Sequence, residues 1–278
     1  MIIAFALASA IVFGAGDFCG GAASRRRGST PVLTVSLPAG LGLLLVVAVA
    51  LGGALDMGAL AWGLASGLAG GGALLVFYRA LAEGPMSVVA PVSGLTAAVV
   101  PAVVGVATGD RLSLTAFAGM GLCLVAICFV SMEKGGGSAR RLHGPILAVA
   151  AGTGFGLFFV LIQQGDDGTL WPLVASKAIS VVIVGVAAAI AGHGPSPVLR
   201  DRVTLGITLL AGSLDVLGNA LFVFAARAGM LSIAGVLSSL YPASTVLLAR
   251  LVYGERLRPI QRIGLVVAVA GVGLVTTN

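Results

Sequence analysis

Charge is what this sequence has least of. Only 9% of its 278 residues are Asp, Glu, Lys or Arg, against about 25% in a soluble domain, and the mean hydropathy is +1.11. A water-facing globule is excluded, because too few ionic groups exist to wet its surface. Histidine is nearly absent: His143 and His193 stand far apart, with no His-Glu-x-x-His spacing and no clustered cysteine, so no metal site is expected. Cys19, Cys123 and Cys128 all fall in apolar stretches, and an odd number of such thiols reads as small packing residues rather than a disulfide framework. No Gly-x-x-x-x-Gly-Lys-Ser/Thr segment occurs, which removes the case for ATP hydrolysis. Gly14-x-Gly16 and Gly152-x-Gly154-x-Gly156 lack the strand that a dinucleotide loop requires. No cofactor is expected. The net charge of +6 does not point to nucleic acid either, since the basic residues sit in short loops with almost no aromatic interleaving.

What the chain has instead is apolar runs of about 20 residues, the length a helix needs to cross a bilayer core. Ten spans are predicted, at 2–22, 31–51, 58–81, 86–107, 113–132, 145–163, 170–191, 203–226, 230–252 and 259–276. Residues 1–22 read as a span rather than a leader, because no basic start precedes the run and no clear small-residue cleavage site precedes Arg25-Arg26-Arg27. The expected class is therefore an all-α protein of the cell (inner) membrane, with the lipid bilayer as its first partner and any function inside the helix bundle.

Lys and Arg divide unevenly between the two sides. The side reached after the first span holds Arg25, Arg26, Arg27, Arg79, Lys134, Arg140, Arg141, Arg200, Arg202, Arg250, Arg256, Arg258 and Arg262, whereas the other holds Arg111 and Arg227. Basic loops stay in the cytoplasm. Both termini are accordingly expected outside.

A long-range echo links the two parts of the chain at a fixed offset of 145 residues. Ala80, Gly84, Ser87, Ser93, Leu95, Ala98, Gly109, Arg111, Leu112 and Gly119 recur as Ala225, Gly229, Ser232, Ser238, Leu240, Ala243, Gly254, Arg256, Leu257 and Gly264, with Asp110 answered by Glu255. Low complexity inflates matches between Gly/Ala-rich helices, but the charged Gly-Asp/Glu-Arg-Leu turn is not low-complexity. Two five-span repeats are expected, residues 1–132 and 143–278, joined by a polar cytoplasmic linker, 133–142, that includes Glu133-Lys134-Gly135-Gly136-Gly137-Ser138. Five spans per half force the second copy to insert upside down, giving inverted repeats.

On these residues, Ala80-Leu81 through Gly109-Asp110-Arg111-Leu112 and Ala225-Ala226 through Tyr241-Pro242 to Gly254-Glu255-Arg256-Leu257, the chain resembles the EamA branch of the drug/metabolite transporter superfamily. The resemblance implies a central cavity lined by spans 1–4 and 6–9 and alternating-access transport, commonly efflux, of small metabolites. It departs from the family's pattern at Ala97, where a proline matching Pro242 is expected and where Pro91 and Pro101 stand nearby instead. Many relatives resemble an arrangement with both termini inside; the charge tally of this sequence says otherwise.

Within the spans, ionisable groups are the sharpest pointers, because each costs roughly 2.5–3.5 kcal/mol at mid-bilayer on insertion scales. Asp215 and Asn219 share one face of span 8. Lys177 in span 7 pairs with Asp215 structurally or shares a cavity with it, and both readings stand at this stage. An unpaired Asp215 would exchange a proton, so proton coupling is an open possibility. Asp17 in span 1 reads as a gate residue or as a partner for Arg25 to Arg27. Tyr78 reads as a cavity ring or an interfacial anchor, and Arg79 with Glu83 as a local pair. Ser93, Ser238, Ser239 and Tyr241 occupy the repeat-related spans 4 and 9, which Pro85, Pro91, Pro101 and Pro242 start or interrupt. Glycine rows at Gly63, Gly67 and Gly71, at Gly16 and Gly20, and at Gly152 and Gly156 read as close helix contacts, sliding or static.

The function these features indicate is a secondary transporter, not an enzyme, that exports small polar or amphipathic metabolites such as amino acids. The candidate cavity residues are Asp17, Tyr78, Ser93, Lys177, Asp215, Asn219, Ser238 and Tyr241. A non-transporting scaffold or sensor subunit is the alternative, and an intramembrane enzyme on lipid-linked substrates, which needs a cluster of acids, Arg and His at one interface, is a weaker one.

Overall fold

The computed structural model describes residues 2–83, 86–109, 113–131, 143–165, 168–228, 231–238, 240–253 and 259–275. Gly84, Pro85, the linker, Gly229, Ser239 and both charged turns, Asp110-Arg111-Leu112 and Gly254-Glu255-Arg256-Leu257, lie outside the described residues. The elements are all helical: α1 (Ile2–Arg27), α2 (Ser29–Leu51), α3 (Met57–Glu83), α4 (Met86–Ala107), α5 (Leu114–Ser131), α6 (His143–Gln164), α7 (Trp171–Ala191), α8 (Ser196–Leu199), α9 (Arg202–Arg227), α10 (Leu231–Ser238), α11 (Tyr241–Tyr253) and α12 (Pro259–Val275).

Among the described residues, seven helical stretches are long and apolar enough to cross a bilayer, and Val92–Ala107 and Phe117–Ala126 are shorter apolar stretches. This is a multi-span membrane protein. Its outer surface carries Val46, Val49, Leu51, Val103, Ile190, Leu251 and Val266, all exposed, which is tolerable only against lipid. Its interior packs Leu33, Phe77, Leu81, Leu173, Phe222 and Leu237, all fully buried.

Two features depart from the expected spans. Helix α1 continues past residue 22 through Arg25, Arg26 and Arg27, so the basic cluster is the last turn of a helix, where cations face the partial negative charge of its carbonyls. The span expected at 230–252 is broken: α10 ends at Ser238 and α11 begins at Tyr241. Pro242 has no N–H, and its ring collides with the carbonyl four residues back, that of Ser238. By contrast α4 runs unbroken through Pro91 and Pro101. The carbonyl that Pro101 leaves without its usual donor belongs to Ala97, and Gly156 of α6 lies against it, where a Cβ would sit 3.0 Å from that oxygen.

The glycine rows bring helices together at four-residue steps. Gly63, Gly67 and Gly71 of α3 lie against Pro172, Ser176 and Ser180 of α7, and a Cβ at any of the three would collide with α7 backbone. The Ser180 hydroxyl donates across this seam to the Gly67 carbonyl at 3.1 Å. Gly152 lies against the Ser93 carbonyl of α4, and Gly20 against the Tyr78 ring.

The ends of the bundle are tied separately. At one end Arg25 donates to the Leu81 carbonyl and Arg27 pairs with Asp201 at 3.1 Å, gathering the last turns of α1 and α3 and the start of α9. At the other end Arg227 donates to the carbonyls of Gly168 and Thr169, closing the end of α9 onto the loop between α6 and α7.

Candidate functional site

Helices α1, α3, α6, α7, α9 and α11 converge on a narrow, partly open cavity. Asp17, Phe13, Phe155, Phe158, Phe159, Lys177, Asp215, Asn219 and Tyr241 line it, with Gly70, Leu74, Ser176 and Ser180. The walls are aromatic because Phe155, Phe158 and Phe159 fall at i, i+3 and i+4 on α6 and so share a face. Phe159 packs against Phe222 at 4.3 Å between centroids and Phe158 meets Phe159 edge-on at 5.4 Å, while Phe155 meets Phe77 edge-on at 5.4 Å.

The polar side of the cavity is built on α7 and α9. The Lys177 ammonium donates to Asp215 Oδ2. Asn219, one helical turn on, donates through Nδ2 to Asp215 Oδ1 at 3.1 Å and to the Asp215 carbonyl at 2.7 Å. The Lys177 side chain is 5% exposed and that of Asp215 21%, so the carboxylate is the more accessible member of the pair. Burying two ions costs several kcal/mol each, which mutual attraction offsets only when the remaining lone pairs are satisfied. The Asn219 amide supplies that third contact.

Asp17 reaches the cavity from α1. Two of the three arginines that follow it are engaged elsewhere, Arg25 with Leu81 and Arg27 with Asp201. Among the described residues no hydrogen bond or ion pair reaches the Asp17 carboxylate, and the charge nearest in influence is that of Asp215, of the same sign.

Tyr241 opens α11 directly after the helix break, and its hydroxyl meets the Ser93 hydroxyl of α4 at 3.2 Å. Ser93 therefore stands behind the cavity wall as the partner of a lining residue. Tyr78 is buried over Gly20, close enough to feel the charges of Asp17 and Asp215, but it is not among the lining residues. Ser238 is buried with its hydroxyl 3.5 Å from the Ala6 carbonyl. Arg79 and Glu83 form an exposed pair at 2.9 Å, away from the cavity. Outside the membrane-spanning part, Asp201 caps α9: the Thr204 hydroxyl and amide, then the Arg27 guanidinium, hold its carboxyl down at about 2.

The sequence profile of the EamA-like transporter family matches residues 142–277. Those residues are an EamA-like transporter domain. The family is part of the drug/metabolite transporter superfamily. A solved structure described as "Crystal structure of protein" shares the fold at a TM-score of 0.69, with 18% identity over 97% of this chain and 96% of that one. No curated protein matches. The EamA-like domain supplies Lys177, Asp215, Asn219, Ser238 and Tyr241; Asp17, Tyr78 and Ser93 precede it. Five of the eight candidates line the cavity, and Tyr78, Ser93 and Ser238 do not. The aromatic wall went unread in the sequence, although the Phe155, Phe158 and Phe159 spacing marks a helix face.

Proposed function

We propose that this protein is a secondary transporter that carries small polar or amphipathic metabolites through the cavity between α1, α6, α7 and α9 by alternating access, working as an exporter. The observation that carries the reading is an aromatic-walled cavity, lined by Asp17, Lys177 and Asp215, in a bundle whose second half is an EamA-like domain. Deep ionisable groups are tolerated where they face a pathway or one another, and here they do both.

In this reading the chain crosses the membrane ten times as two inverted halves, with the α10 and α11 pieces forming one crossing. The packing pattern supports it. Helix α1 packs on α9 and on the α10 and α11 pair, as α6 packs on α3 and on α4; α5 packs on α12, and α4 on α10 and α11. Each contact has a counterpart when the halves are exchanged. The end holding Arg25, Arg26 and Arg27 faces the cytoplasm, and both termini lie outside. The broken helix between Ser238 and Tyr241 supplies the moving element, since irregular backbone at depth is tolerated where it lines a cavity.

The experiment is reconstitution of the purified chain in liposomes and measurement of solute uptake from a mixed pool of small metabolites, with and without an imposed pH gradient. Uptake above that of empty vesicles, reduced in Asp215→Asn, is expected. Absence of flux in a protein shown to be folded would favour a scaffold or sensor subunit.

A further inference from the structure

The cavity's acids outnumber its cations: Asp17 and Asp215 line it against the single Lys177. Lys177 is committed to Asp215, and Asn219 already occupies Asp215 Oδ1. That leaves Asp17, without a partner among the described residues, as the group with a vacancy. A carboxylate held away from bulk water is costly until a cation or a set of hydrogen-bond donors meets it. The surrounding surface is mostly aromatic, and the rings of Phe13, Phe155, Phe158, Phe159 and Tyr241 attract cations through their faces while offering an apolar body somewhere to lie.

Resting on the transporter reading above, we infer that the cavity selects monovalent organic cations, an ammonium group joined to one apolar body, with Asp17 as the counter-ion. A zwitterion is disfavoured because its carboxylate finds Lys177 already taken and two acids, rather than a second cation, nearby. An anion meets the same acids with no compensating contact.

The test uses three probes of nearly equal apolar body and different charge: phenethylammonium, phenylalanine and 3-phenylpropionate. Binding of each to the purified full chain is measured by titration calorimetry. The cation is expected to bind most tightly, and Asp17→Asn, nearly isosteric, is expected to weaken it by at least about tenfold, the scale of one charge-assisted contact. A thermal melt of Asp17→Asn without ligand establishes that it is folded. If it does not fold, the ranking of the three probes in the wild type still decides. Preference for phenylalanine or 3-phenylpropionate overturns the cation assignment, as does a cation affinity that Asp17→Asn leaves unchanged. Both results leave the transport reading untouched. Tight, Asp17-dependent cation binding without flux of any solute in vesicles supports the assignment and counts against transport.

Discussion

Helices α1 and α6 are placed alike and equipped differently. Each is wedged between two helices of the opposite half by a Gly-x-Gly pair. Gly14 lies against the Tyr241 carbonyl and Gly16 near the Ala211 carbonyl; Gly152 lies against the Ser93 carbonyl and Gly154 against the Ala69 carbonyl. The next residue in each helix lines the cavity, and there the likeness ends: it is Asp17 in α1 and Phe155 in α6. Glycine lets a backbone carbonyl approach where any side chain would stand in the way. The residue after it faces the cavity and sets its chemistry. One frame thus carries a counter-ion on one wall and an aromatic surface on the other.

The most damaging way to break the comparison is to fill the frame. Gly152→Leu directs a side chain into the Ser93 carbonyl, and Gly14→Leu into the Tyr241 carbonyl. Overpacking a core costs about 1–3 kcal/mol even where side chains can yield, and here the obstacle is backbone. Both variants are expected to lose most of their monodisperse yield in detergent. Gly72, which has nothing within 4 Å of an added Cβ, is the control, and Gly72→Ala is expected to melt like the wild type. Equal tolerance of leucine at Gly152 and alanine at Gly72 would show that the close approach is not what positions α6.

A second way separates what holds the cavity together from what it does. Lys177→Met leaves Asp215 without its cation, and breaking a buried pair in this way costs about 3–5 kcal/mol. Adding Asp215→Leu removes the orphan, so the double variant is expected to recover most of the lost thermal stability. Its flux is expected to stay absent. A double variant that transports at the wild-type rate would reduce the pair to structural filling and leave Asp17 as the cavity's only charge with a role.

Much of this was legible in the sequence, for reasons that vary by residue. The helices follow from runs of apolar residues, and the close-contact face of α3 from glycines four apart, since both are local periodicities; that α7 lies against that face came only with the fold. Lys177 and Asp215 stood out because charge at that depth is costly wherever it points. Their pairing was one of two readings, since the rotation of each helix depends on neighbours that no local pattern encodes. Asp17 was harder: three arginines follow within ten residues and offered a nearer partner. Only the fold commits Arg27 to Asp201 and Arg25 to Leu81, leaving Asp17 to the cavity. The break at Ser238 was foreshadowed by Pro242, yet Pro101 in α4 left its helix intact. The difference lies in tertiary surroundings.

The smallest expected effect sharpens the comparison from outside the membrane, where α1 is tied to α9 by Arg27 and Asp201. The folded state holds the Asp201 carboxyl at about 2, below the ordinary carboxylate value near 4. A depressed folded pKa contributes stability that is fully present above the unfolded value and is lost as pH falls through the folded one. The window is therefore from about pH 4 down to about pH 2. Asp201→Asn can still cap α9 but carries no charge, so its deficit in melting temperature is expected to be small at pH 7 and smaller at pH 3. The Thr204 hydroxyl, 2.7 Å from Asp201 Oδ2, and the Thr204 amide contribute more than Arg27, whose side chain is 46% exposed and whose ion pair solvent screens. Thr204→Val is accordingly expected to lower the melting temperature more than Arg27→Ala. The reverse order would mean that the arginine fastens α1 to α9 and that the cap follows from the strap.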